Sequence, residues 1–244
     1  MAPIVYLIRH GQAEHNVNIS KDSHKRPDPG LTATGEEQSK DLCTIFPHHE
    51  KISLILASPL KRTVQTAAYT FGPILRERQV PLILVPAAQE IGAFGCDIGQ
   101  EADALRIQAP EWIREAVRGY DMQHLNMDLI QEGWNRKEGV YAATLAAVRE
   151  REAALRSWLF QRPESHIALV THGAFLHYLT DDWATYDRTR GTRYKNCEYR
   201  QFEFTSDSNL DDAHLREVGG TRERQRRPSN IEVHVFNSDD LTTC

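Results

Sequence analysis

Ile4-Val5-Tyr6-Leu7-Ile8-Arg9-His10-Gly11 is a short apolar run, rich in β-branched residues, that stops abruptly on a cation, an imidazole and a glycine. Continuous apolarity over five residues, without polar alternation, marks a strand buried on both faces of a parallel sheet. Ligands of open α/β sheets collect at the carboxyl ends of the strands. Arg9, His10 and Gly11 therefore stand at the edge where such a sheet carries out chemistry. A second stretch, Ile167-Ala168-Leu169-Val170-Thr171, repeats the pattern and ends on another His-Gly pair, His172-Gly173.

Between these two runs the sequence alternates strands and helices. The Thr34 and Glu37 spacing reads as a capping box at the start of a helix that reaches about Phe46. Ile52–Ala57 is a buried strand, Leu60 to about Phe71 a helix, and Leu82–Val85 a third apolar strand between prolines. Glu138 to about Phe160 is the strongest helix, with Tyr141, Leu145, Val148, Leu155 and Leu159 on one face. Residues 198–204 and 231–236 read as edge or antiparallel additions, with a polar loop between them. The expected fold is a three-layer α/β/α sandwich with a mostly parallel central sheet. It forms one domain over residues 1–244, carrying a cap insertion at about 91–135.

The chain has 244 residues, with 34 acidic against 29 basic side chains and a net charge of −5. That balance gives no general attraction to nucleic acid or an anionic membrane, so any anion is bound locally. Arg222, Arg224, Arg226 and Arg227 follow a more acidic stretch with Asp207, Asp211 and Asp212. Clustered arginines can neutralise phosphates, but composition favours a solvated loop, and no nucleic-acid partner is expected. Cys43, Cys96, Cys197 and Cys244 form no CxxC pair and no zinc spacing, which reads as free thiols of a reducing compartment. No metal site and no cofactor are expected. The opening apolar run is too short for a signal segment, and no stretch approaches the 18 residues that cross a bilayer. The expected location is cytoplasmic, without a membrane partner.

Three strand exits are loaded: Arg9-His10-Gly11-Gln12, Ser58-Pro59-Leu60-Lys61-Arg62, and His172-Gly173. Two imidazoles and two guanidiniums without a metal suit a phosphoryl group, whose oxygens match the bidentate donors of Arg. A neutral imidazole can attack phosphorus and hold a covalent intermediate. A second, protonated one can donate to a phosphoryl oxygen. A carboxyl must then protonate the leaving alkoxide and later activate water, and Glu90, just past the third strand, is best placed.

These residues resemble the histidine phosphatase superfamily, also called phosphoglycerate mutase-like, of the branch 1 type. Arg9-His10-Gly11-Gln12 with Asn16 is similar to its opening motif, and Ala57-Ser58-Pro59-Leu60-Lys61-Arg62-Thr63-Val64-Gln65-Thr66-Ala67 to its Ser-Pro-x-x-Arg-x-x-Gln-Thr-Ala segment. Leu31-Thr32-Ala33-Thr34-Gly35-Glu36-Glu37-Gln38 resembles its Leu-Thr-x-x-Gly-x-x-Gln helix start, and Val170-Thr171-His172-Gly173 its second His-Gly. The resemblance implies His10 as nucleophile and Glu90 as proton donor. Arg9, Arg62 and His172 form the phosphoryl pocket, with Gly11, Gln12, Asn16 and Gly173 as substrate contacts. Glu101 is the alternative acid, reached if the loop from Gly92 to Gly99 folds back.

The implied enzyme is a metal-independent phosphatase of a small phosphorylated molecule. Phosphoglycerate-mutase-type transfer is the alternative, but Glu90-Ile91-Gly92-Ala93-Phe94-Gly95 departs from the Glu-Arg-His-Tyr-Gly stretch that mutases carry. A non-catalytic phosphate-binding module is a further reading, although nothing essential to catalysis is missing. Ser58 lacks the Gly-x-Ser-x-Gly elbow and reads as a turn or capping residue. His15, His24, His48, His49, His166 and His177 read as surface or core histidines. Phe94, Trp112, Tyr120, Met122, Met127 and Trp134 in the insertion suit either an apolar lid or the insertion's own core, the latter favoured. Substrate identity and oligomeric state are not legible at this level.

Overall fold

The computed structural model describes residues 2–17, 23–180 and 194–218. Strands β1 (Ile4–Arg9), β2 (Leu54–Ala57), β3 (Leu82–Leu84), β4 (Leu125–Asn126), β5 (His166–Thr171), β6 (Tyr199–Phe204) and β7 (Leu215–Glu217) form one sheet. Its order is β4-β3-β2-β5-β1-β6-β7. The first five strands pair in parallel, β6 runs antiparallel to β1, and β7 antiparallel to β6.

Continuous apolarity in β1 is explained by two cores. Tyr6 and Ile8 point into one, with α2 (Ala33–Ile45), α3 (Lys61–Arg78) and α4 (Ala102–Ala116). Val5 and Leu7 point into the other, with α5 (Leu145–Phe160) and α6 (Gly173–Thr180). Leu7 and Ile8 are fully buried on opposite faces, each burial stabilising by about 2 kcal/mol. A three-layer α/β/α sandwich results, as the sequence reading expects. Among the described residues no helix is long and apolar enough to cross a membrane.

Several boundaries differ from that reading. The cap of α2 is Thr32, whose Oγ1 accepts from the Gly35 amide at 3.0 Å, and not Thr34. Helix α3 continues through Pro73 to Arg78, because Ile74 and Leu75 prolong its buried face beyond the proline. Helix α5 begins at Leu145, capped by Thr144. The preceding segment does not extend the α-helix: Lys137 and Gly139 have φ of 53° and 57°, and only a single 3-10 turn forms at Gly139–Tyr141. The insertion supplies α4, packed on α3, and the edge strand β4, so Trp112, Tyr120 and Trp134 join the main core. Strand β7 lies in the stretch read as a polar loop. The expected strand at 231–236 and the arginines at 222–227 lie outside the described residues, as does Cys244.

Candidate active site

Strands β2, β5 and β1 are neighbours, so their carboxyl ends bring Ser58, His172 and Arg9-His10 together. Backbone bonds hold the exits in step: the His10 amide donates to Thr171 O and the Ser58 amide to Val170 O, each at 3.0 Å. The turn after β1 then passes tightly against α2. A Cβ on Gly11 would lie 2.6 Å from Gly35 O, and one on Gly35 would lie 2.0 Å from Gln12 O, so both positions exclude any side chain. The Gly11 amide donates to Thr66 Oγ1 on α3 at 3.0 Å. Asn16, on the short helix α1 (Glu14–Val17), accepts from the Ala13 amide at 3.0 Å.

His10 is 2% exposed. Its Nδ1 lies 2.7 Å from Gly11 O, a contact in which the nitrogen must carry the hydrogen, which leaves the lone pair on Nε2. Arg62 Nε donates to that Nε2 at 3.3 Å. The same guanidinium donates through Nη1 to Cys96 O at 2.6 Å and through Nη2 to Asp97 Oδ1 at 3.1 Å. Arg9 Nη1 donates to Tyr194 O at 2.7 Å.

The His172 ring centre lies 5.2 Å from that of His10, and its Nε2 meets Ser58 Oγ at 2.8 Å. Burial, then the Arg62 charge, push His172 well below the ordinary imidazole range. The second histidine expected to be protonated is therefore neutral in its protein surroundings alone, because burial beside cations disfavours the charged ring. Ser58 is thereby the partner that orients His172, beyond a turn role.

Glu90 Oε1 accepts from the Ile91 amide at 2.9 Å and from the Phe175 amide, in the first turn of α6, at 3.1 Å. Burial and then the Asp97 charge raise its proton affinity above that of an ordinary carboxyl, with Arg62 and Lys137 opposing. Lys137 Nζ donates to the Glu90 carbonyl at 2.9 Å.

A cleft of about 420 Å³ is lined by Arg9, His10, Asn16, Glu90 and Gly173, together with His15, His24, Phe94, Cys96 and Asp97. Arg62 and His172 lie one layer deeper, against His10 and Ser58. Two expected residues point elsewhere. Gln12 Oε1 accepts from Thr32 Oγ1 at 2.9 Å, so that side chain braces the start of α2. Glu101 is exposed at the N-cap of α4 and is not among the lining residues. Sequence reasoning treats His15 and His24 as ordinary histidines, yet both line the cleft, their ring centres 6.3 Å apart. The His10-to-His15 spacing across a tight turn could have flagged His15. No local signal marks His24 or Asp97, which arrive from distant segments. Among the described residues no three His, Cys, Asp or Glu side chains group to hold a metal ion.

A family model, the histidine phosphatase superfamily (branch 1), matches residues 5–211. A protein of Schizosaccharomyces pombe named as a probable phosphatase is 29% identical over 170 residues, covering 69% of this chain and 73% of its own. Phosphoglycerate mutase-like protein 1 of Arabidopsis thaliana is 30% identical over 198 residues, covering 71% of this chain and 69% of its own. The crystal structure of the ecdysone phosphate phosphatase of Bombix mori with tungstate superposes with a TM-score of 0.55. It covers 98% of this chain and 99% of its own at 17% identity, a likeness of fold.

Proposed function

Because the chain belongs to the histidine phosphatase superfamily, branch 1, we propose that it hydrolyses a phosphate ester of a small molecule through a phosphohistidine on His10. The observation that carries the reading is the state of the His10 ring. Its Nδ1 is committed to Gly11 O and its Nε2 is presented to Arg62 Nε, the tautomer an imidazole nucleophile requires.

Substrate entry exchanges one hydrogen bond for another. The Arg62 Nε–H that caps His10 Nε2 passes to a phosphoryl oxygen, which releases the lone pair as the electrophile arrives. Arg9 and His172 take further phosphoryl oxygens, and the dianion supplies the charge that lets His172 accept a proton. The Nε2–P bond forms as the P–O bond to the leaving group breaks. Glu90, whose burial favours the protonated acid, gives its proton to the leaving oxygen and releases the alcohol. The resulting Glu90 carboxylate then takes a proton from water, whose oxygen attacks phosphorus. The P–N bond breaks, and phosphate and unmodified His10 are restored.

Every role in this sequence belongs to a side chain, and the reading extends to a cytoplasmic enzyme acting on small soluble phosphate esters. The test is hydrolysis of p-nitrophenyl phosphate with EDTA present, wild type beside H10A. Turnover that withstands EDTA and vanishes in a folded H10A is the expected result. Activity lost with EDTA and restored by magnesium, or retained in H10A, would contradict it.

A further inference from the structure

Asp97 is a buried carboxyl, 4% exposed, that lines the same cleft as His10 and Glu90 but has no part in the chemistry above. With the neighbouring Cys96 carbonyl it grips both terminal nitrogens of Arg62, at 3.1 and 2.6 Å, while Nε points at His10. The short turn Gly95–Asp97 is itself wedged in place. A Cβ on Gly95 would meet Lys25 O at 2.5 Å, and one on Gly92 would meet Asp97 Oδ2 at 2.5 Å. A carboxylate this close to an anion seat opposes phosphate binding by like charge. Holding Arg62 does not require it, because a neutral amide oxygen would accept the same bond.

We propose that Asp97 is a positioning residue of this active site, aiming Arg62 at His10 and confronting Glu90 with a fixed negative charge. The inference rests on the reading of Glu90 as proton donor. Two carboxyls lining one cleft, as Asp97 and Glu90 do, do not both ionise readily. Asp97 is the carboxyl ion-paired with Arg62, at 3.1 Å, and the proton stays with Glu90. The other groups that face Glu90 push the opposite way: Arg62 on α3, Lys137 ahead of α5 and Arg151 on α5. Arg9, the histidines His10, His15 and His24, and the Cys96 thiol line the same cleft. Asp97 thus offsets a cationic pocket that would otherwise strip the acid of its proton.

The experiment measures kcat/KM against pH for D97N, G92A, E90Q and wild type. The substrates are glycerol 2-phosphate, whose leaving group needs an acid, and p-nitrophenyl phosphate, whose leaving group hardly does. In D97N the amide still accepts from Arg62, and the alkaline limb on glycerol 2-phosphate is expected about one pH unit lower, with the p-nitrophenyl phosphate limb unmoved. G92A, which drives the carboxylate from its seat without removing it, should shift the limb the same way. E90Q should slow glycerol 2-phosphate far more than the aryl ester. Equal slowing of both substrates in E90Q overturns the proton-donor reading and all that rests on it. A selective E90Q with an unmoved limb in folded D97N overturns the role of Asp97 alone. Should D97N fail to fold, the alkaline limb of G92A decides the question: a shift supports the role of Asp97, and an unmoved limb overturns it.

Discussion

At the scale of single residues, the pocket is built from groups whose charge depends on an occupant. His172 is fully buried and held neutral by desolvation and by Arg62, so a bound anion reverses its preference. Anion binding near pH 7 is therefore expected to take up a proton and to tighten as pH falls toward 6. Isothermal titration of tungstate in buffers of different ionisation enthalpy measures this, and H172Q should abolish the uptake. Its protein partner is equally exposed to test. S58A leaves His172 Nε2 buried without its 2.8 Å contact, which should cost about 1–3 kcal/mol in urea unfolding. Turnover should fall as the ring loses its orientation. Unchanged stability together with unchanged kcat would show that another group holds the imidazole.

At the scale of elements, the turn after β1 and the start of α2 are one unit. G35A places a carbon 2.0 Å from Gln12 O, a backbone clash that no rotamer relieves. About 2–3 kcal/mol of stability should be lost, with His10 displaced and kcat lowered in parallel. Full activity in a stable G35A would break the link between that turn and the site. How legible an element is in the sequence depends on what buries it. β1, β2, β3 and β5 can be read because both faces of each are covered. Helix α4 escapes because two of its buried positions, Ala102 and Ala109, are too small to mark an apolar stripe, and Pro110 lies inside it. β4 is two residues long, and β7 is a partly exposed Leu-Arg-Glu held by its ladder to β6. Neither leaves a side-chain pattern. The early start predicted for α5 fails at the left-handed residues Lys137 and Gly139, a backbone conformation that apolar periodicity does not report.

At the scale of the whole molecule, buried ionisable groups couple the site to global stability. Asp28 caps the start of α3, its Oδ1 accepting from the Lys61 amide at 2.8 Å. Burial raises its pKa to about 6 against an ordinary value of 3.8. The folded chain then binds more protons than the unfolded one between those values, so this group lowers stability as pH rises from 4 to 6. The loss amounts to up to about 3 kcal/mol. D28N keeps the acceptor and removes the charge, and its stability relative to wild type should improve across that window in denaturant titrations. A constant difference would mean that Asp28 titrates normally. The candidate site is legible for the same reason as the sheet: His10, Arg62 and His172 follow strands that the topology makes neighbours. Asp97 and His24 are not, because the Arg62 to Asp97 contact spans 35 residues, and the His24 approach depends on tertiary packing.

The central claim is a covalent phosphohistidine on His10, and rapid acid-free quenching with peptide mapping tests it most directly. Wild type mixed with phenyl phosphate should carry one acid-labile phosphoryl group on the peptide that contains His10, formed and discharged at rates compatible with turnover. H10A should carry none. Turnover with no label on that peptide, or a label on another residue, would contradict the account.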